Sequence, residues 1–286
     1  MRRKSCHGEG NNVVQITTPE EAIQNNEYKT ALIELLYQLA DDDFILSFRG
    51  SEWLGLAPHI EEDIAYASIN QATMGHAVMY YELLEALGEG LADELAHGRK
   101  GSERKNAILL ELMNGSGSYL ENPSYDWAFT VVRHYFYDVY KKLKLESLKQ
   151  SSYLPLAQAA TKIKMEQFYH ILHWRVWFNQ LVQSGGEAKT RMQAAIQKVW
   201  DEFAGVLSYG THSLDFSKYN LIEEEQLFKE KWEAEMKQIF EQNDLVYPGF
   251  PNAKKGDGRS GEHTKDLDQA LAVLSEVYNL DPQAAW

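Results

Sequence analysis

Thr73-Met-Gly-His76 and Gln167-Phe-Tyr-His170 are the stretches on which the reading of this chain turns. Both lie inside long helical patterns, and at 3.6 residues per turn the first and fourth side chains of each share a face. Helical bundles that hold two metal ions build the site from Glu-x-x-His on each of two helices, with one further carboxylate from each of two others. Threonine and glutamine stand here where that motif has glutamate. A hydroxyl and a neutral amide cannot offset the charge of two ferrous or ferric ions. The spacing of a di-iron site is present, and half of its chemistry is gone.

Working outward, Glu52, in Phe-Arg-Gly-Ser-Glu-Trp-Leu, precedes the first pair, and Asp138, in Tyr-Phe-Tyr-Asp-Val-Tyr, precedes the second. His170 follows His76 by 94 positions, which leaves room for intervening helices. The order acid, x-His, acid, x-His is a ferritin-like ligand order, with remnant positions at Glu52, Thr73, His76, Asp138, Gln167 and His170. A histidine on an apolar helix face also serves as a hydrogen-bonded core residue. A carboxylate among tyrosines must be paired. We therefore expect hydrogen bonds among Glu52, His76, Asp138 and His170 in place of metal. No catalytic residue, bound cofactor or metal is expected.

Two further histidine patterns carry less. Glu94-Leu-Ala-His97 is a literal Glu-x-x-His, but it lies between Gly90 and Gly98 in what reads as a short exposed connector. His170 and His173 form a His-x-x-His pair, and the adjacent Trp174 and Trp177 read as a packing face.

The remaining pattern is all-α. Thr18-Pro19-Glu20-Glu21 is a helix start, with a cap, a proline in the first turn and acids behind it. Helical spacing of leucines runs from Tyr28 to Leu54, with a break expected at Asp41-Asp42-Asp43. Further helices are expected from about Pro58 to Leu87, Glu103 to Leu120, Asp126 to Leu148, Lys162 to Gln183, Glu187 to Gly205, Glu223 to Glu241 and Lys265 to Leu280. Residues 248–264 read as a flexible loop, and no strand of useful length is expected. The fold class is a ferritin-like four-helix-bundle core with additional peripheral helices. Residues 1–18 read as a flexible tail, and residues 19–286 as one helical domain.

Composition excludes several functions. The chain has 286 residues, 44% of them hydrophobic, and a net charge of −14. That charge opposes a nucleic-acid partner or an anionic membrane surface. The basic runs Arg99, Lys100, Arg104, Lys105 and Lys141, Lys142, Lys144, Lys149 read as solvated helix faces. Cys6 cannot form an internal disulfide, being the single cysteine, and an unpaired thiol fits a reducing compartment. No apolar run reaches the ~18–20 residues that span a bilayer. A cytoplasmic location is expected. Phosphate-binding loops and nucleophile elbows are missing from the sequence.

Three blocks resemble a known family. The segment from Asp43 to Ala65, with Ser51-Glu52-Trp53 and Glu61-Glu62-Asp63, is similar to the structural (C) subunit of the bacterial phenylacetyl-CoA 1,2-epoxidase. So are Met74-Gly-His-Ala-Val-Met-Tyr-Tyr81 and Val131-Val-Arg-His-Tyr-Phe-Tyr-Asp138, and more loosely Asp257-Gly-Arg-Ser-Gly-Glu-His-Thr264 and the helix ending near Trp286. The resemblance covers roughly residues 28–286. It implies a non-catalytic, ferritin-like subunit that pairs with and stabilises a homologous catalytic (A) subunit. That partner would carry the di-iron centre and epoxidise the ring of phenylacetyl-CoA with O₂ and electrons from a reductase. Further small and reductase subunits, or a homodimer, are implied partners. Two other readings stay open: a metal-dependent oxygenase using two histidines and carboxylates around one Fe(II), and a helical binding module unrelated to the epoxidase.

Overall fold

Two side-chain caps start the helical part of the chain in a computed structural model that describes residues 15–284. Cys6, Trp286 and most of the expected tail lie outside the described residues. Thr18 accepts a hydrogen bond from the Glu21 amide to open the single-turn α1 (Pro19–Ala22). Asn25 accepts from the Tyr28 amide at 3.1 Å to open α2 (Asn26–Ser51). Ahead of them Ile16 bonds to Ser152 O and Leu154 N, both at 2.8 Å, so this end of the expected tail is tied down.

The break expected at Asp41-Asp42-Asp43 does not occur. All three acids lie inside α2 and are at most 1% exposed. Successive helical residues turn by about 100°, so the three point in different directions and each meets its own cations. Asp41 pairs with Arg99 and Arg104, Asp42 with Arg259, and Asp43 with Lys141. Burying a charge is costly unless it is paired. The triplet is the charged centre of the core.

After a turn through Gly55 and Pro58, α3 (Ile60–Ala86) runs back along α2. A Cβ on Gly50 would collide with the Asn70 side chain, so the two backbones approach closely there. That contact sets an antiparallel register, continued by Tyr81 donating to Asp41 at 2.6 Å. The single helix expected over Glu103–Leu120 is broken. α4 (Ala92–His97) and α5 (Ile108–Glu111) flank a connector, and β1 (Gly115–Ser118) pairs antiparallel with β2 (Glu121–Tyr125). The cause is competition for backbone donors. The Lys105 amide donates to Asp41 and the Ala107 amide to Asp42, both at 2.8 Å, and these bonds replace a helical ladder.

Asp126 caps α6 (Trp127–Leu148), which turns back into α7 (Leu154–Gln183). Then come α8 (Gly186–Trp200), α9 (Phe203–Leu207), α10 (Ser213–Lys218) and α11 (Glu225–Gln242). The helix expected across Glu187–Gly205 stops between α8 and α9, where buried Glu202 accepts from the Lys255 amide and the Ala204 amide donates to Asn252 O. The last helix divides at Ser275 into α12 (Lys265–Leu274) and α13 (Glu276–Leu280).

Residues 248–264 are not a loose loop. Arg259, 2% exposed, reaches Asp42 with bonds of 2.7 and 2.8 Å. His263 bonds Glu111 at 2.7 Å and Arg104 O at 3.0 Å. A side chain at Gly258 would strike Asn106 O, which is why glycine precedes that arginine.

The core of the bundle is α2, α3, α6 and α7. α5, α10 and α12 pack on α2, and α8 and α11 on α6, so these two helices are buried on nearly all sides. α3 and α7 each keep one face outward. Among the described residues no helix is long and apolar enough to cross a membrane.

Candidate functional site

α6 is aromatic all round, and a helix apolar on every face is buried on every face. Any charge in its middle therefore sits in the core. Lys141 does. Its Nζ lies 2.7 Å from both carboxylate oxygens of Asp43 and 3.0 Å from His76 Nδ1. Tyr137 donates to Asp43 at 3.3 Å. On the other side His76 Nε2 lies 2.9 Å from Glu166 Oε2. The lysine donates to Nδ1, so the histidine proton is on Nε2 and is given to Glu166. Burial, together with the charge of Lys141 and neighbouring His170, holds His76 far below the usual histidine range, and the ring is neutral. The result is a hydrogen-bonded row from Asp43 in the core, through Lys141 and His76, to the half-exposed Glu166.

The remnant positions gather around this row, with one exception. Thr73, one turn before His76, spends its hydroxyl on Ile69 O at 2.9 Å. Gln167 is 1% exposed, and neither atom of its amide has a hydrogen-bond partner. Beside it Asp138 has an unpartnered Oδ2, and burial pushes its carboxyl up to about 7 against the pull of Lys141 and the nearby Gln167 amide. The His170 ring stands 6.0 Å from that of His76. Burial, Lys141 and His173 hold it down to about 3.

Glu52 is the exception. It caps the end of α2, bonded to Arg49 at 2.9 Å and Asn114 at 2.7 Å. The α2/α3 register explains this. With Gly50 against Asn70, the α2 residue level with His76 is near Phe44, and Glu52 lies roughly 12 Å further along the helix at 1.5 Å per residue. The acid at the level of the site is Asp43. The expected hydrogen bonds among Glu52, His76, Asp138 and His170 are not formed, because Lys141 and Glu166 take both nitrogens of His76.

The two minor patterns separate. His173 and Trp177 both bond buried Glu62, at 2.9 and 2.6 Å, so His173 does not join His170 around a common point. His97 packs edge-on against Phe44, away from solvent-exposed Glu94.

A pair of irons does not fit these residues. The hydroxyl of Thr73 is already committed, Gln167 is neutral, and the ammonium of Lys141 fills the ground between Asp43 and His76. An adjacent fixed cation also opposes a second. Among the described residues no three His, Cys, Asp or Glu side chains converge as a metal-ligand group.

Sequence reasoning misses Asp43, Lys141 and Glu166. It groups Lys141 and Lys144 with a solvated basic run, yet they are 5% and 2% exposed. A signal for their burial is present in the sequence: the aromatic residues on all sides of α6 leave no face for water. Arg99 and Arg104 of the other basic run are likewise inside, on Asp41.

Comparison with known proteins gives two findings. The family described as phenylacetic acid catabolic protein matches residues 10–286. The C component of the 1,2-phenylacetyl-CoA epoxidase of Escherichia coli (strain K12) is 28% identical over 250 residues, covering 87% of this chain and 96% of that protein.

Proposed function

Because the chain belongs to the phenylacetic acid catabolic protein family, we propose that it is the non-catalytic structural subunit of a phenylacetyl-CoA epoxidase, pairing with and stabilising a di-iron catalytic subunit. The observation that carries this reading is Lys141. A buried ammonium between Asp43 and His76 supplies in one unit charge what metal ions would bring in four or more. It keeps the two central helix pairs tied across the bundle without iron, O₂ chemistry or electron supply. Lys141 links α6 to α2 and, through His76, to α3, while Glu166 closes the link to α7.

The work of such a subunit is to offer a rigid surface. The three acid–cation clusters of α2 fix the bundle from inside, so its outer faces hold their shape without a bound cofactor. The chain is then part of an oxidoreductase complex and contributes no catalytic group to it.

The test is co-expression with the di-iron partner, with metal analysis of the isolated chain. Retention of the partner on a tagged copy, higher partner solubility, and iron well below one per chain are the expected results. Near-stoichiometric iron in the isolated chain would overturn the reading in favour of an oxygenase acting alone. Failure to retain the partner would overturn the scaffold role.

A further inference from the structure

α3 and α7 do not close against each other along their outer sides. Two hollows of about 500 and 620 Å³ lie end to end between them, sharing Ala65, Tyr169 and His173. They extend from His59 to Ala72, roughly 20 Å along α3 at 1.5 Å per residue, or nearly four turns of an incoming helix. The floor is made of small residues: Ala65, Ser68 and Ala72 line it, and Gly75 beyond them has open space where a Cβ would stand. The walls are large and apolar. On α7 they are formed by Tyr169, Leu172 and Val176, which are 69%, 38% and 46% exposed.

Soluble monomers seldom expose contiguous apolar patches beyond roughly 300–600 Å². An open groove of this length, walled by Tyr169, Leu172 and Val176, is the kind of apolar surface that marks a protein–protein site. Buried polar chemistry also points into the groove. His170 is 6% exposed, lines the larger hollow and has no hydrogen-bond partner among the described residues. Glu166 and Glu61 stand at the edge of the hollows, and neither is paired with a lysine or arginine among the described residues.

We propose that this groove is the docking face for the catalytic subunit, which lays one helix along it. The occupant is a helix with an apolar stripe whose flanking Lys or Arg residues meet Glu61 and Glu166, and with one hydrogen-bonding side chain placed against His170. The remnant metal-ligand region then lies directly beneath the interface, so the row Asp43–Lys141–His76–Glu166 stiffens the surface that the partner touches. The proposal rests on the scaffold reading above and adds the face and the chemistry of its occupant.

The experiment compares two double variants of the full chain, each co-expressed with the di-iron partner. Y169D/V176D places charge in the groove. L120D/V273D places the same charge on the other apolar hollow, the one beside Glu52 lined by Leu54, Leu120 and Val273. The four side chains to be replaced are 46–88% exposed, so both pairs start open to solvent. Circular dichroism and thermal melting first establish that both variants keep the fold. Partner retained on the tagged chain is expected to fall at least tenfold in Y169D/V176D and to stay within twofold of wild type in L120D/V273D. Retention in the groove variant, or loss in the control alone, overturns the assignment of the face. If the unmodified chain retains no partner, the scaffold reading itself fails. Light scattering on the chain by itself addresses the other occupant: a homodimer that Y169D/V176D dissociates would make a second copy of this chain the resident of the groove and overturn the proposal.

Discussion

Asp42 and Asp43 are neighbours in one helix, equally buried, and they end in clusters of opposite character. Asp42 meets Arg259 through two bonds, and that guanidinium also donates to Lys105 O and Val206 O. Nearly every donor in the arrangement is used, and the C-terminal segment is clasped to the centre of the bundle by it. Asp43 meets a lysine, and around that lysine stand Gln167 and Asp138 with unpartnered polar atoms. An arginine fork suits a permanent buried pair, whereas an ammonium is a compact point charge. One cluster is finished as a structural clasp. The other keeps the outline of a metal site and fills its centre with a cation.

Removing the cation from each cluster should expose that difference. Arg259→Ala leaves Asp42 buried without its partner and releases residues 248–264 from the core. Breaking a buried pair from one side costs about 3–5 kcal/mol, and Arg259→Ala should fall at the upper end. Chemical denaturation should show it, together with faster proteolysis near Gly256. Lys141→Met should cost less, about 2–3 kcal/mol. Burial, only partly offset by Lys141, already pushes the Asp43 carboxyl up, so it can take a proton once the ammonium is gone. The loss from Lys141→Met should therefore shrink as the solution is made more acid, and adding Asp43→Asn to it should recover part of the stability at neutral pH. Equal losses in the two single variants, at every pH, would erase the distinction between clasp and filled site.

This asymmetry also shows what sequence could and could not carry. The four long helices are legible because their evidence is local: leucine spacing in α2, the cap at Asp126 before α6, and glycines after α3 and α7. The same-face placement of Thr73 with His76, and of Gln167 with His170, follows from helical pitch alone. The choice of acid on α2 does not, since it depends on the register between two helices. That register is set by one close contact, Gly50 against Asn70, and Asp43 rather than Glu52 reaches the site. The acid triplet reads as a cap because acids favour helix starts, and nothing within a few residues announces that cations arrive from positions 99, 104, 141 and 259. Residues 248–264 read as loose from their glycines and prolines, yet Arg259 and His263 order them through contacts more than 150 residues away in sequence. Gly115-Ser-Gly-Ser118 is a strand in spite of its composition, held by pairing to residues 121–125.

The smallest expected effect is the most diagnostic for the unfinished cluster, and its sign is positive. Burial raises the Asp138 carboxyl to about 7 from its ordinary 3.8. Between those values the folded chain binds more protons at this carboxyl than the unfolded chain does. Stability from this group is therefore intact near pH 4 and is lost as pH rises to about 7, above which it changes no further. Asparagine has nearly the same shape and cannot ionise. Asp138→Asn should leave the melting temperature unchanged near pH 4 and raise it near pH 8. The full displacement corresponds to about 4 kcal/mol, and relaxation around the ionised group should reduce the gain to about 1–2 kcal/mol, or a few degrees for a chain of this size. A gain that is the same at both pH values would mean that Asp138 is paired after all. A loss at the higher pH would mean that its charge is required by Lys141 and that the second cluster is as complete as the first.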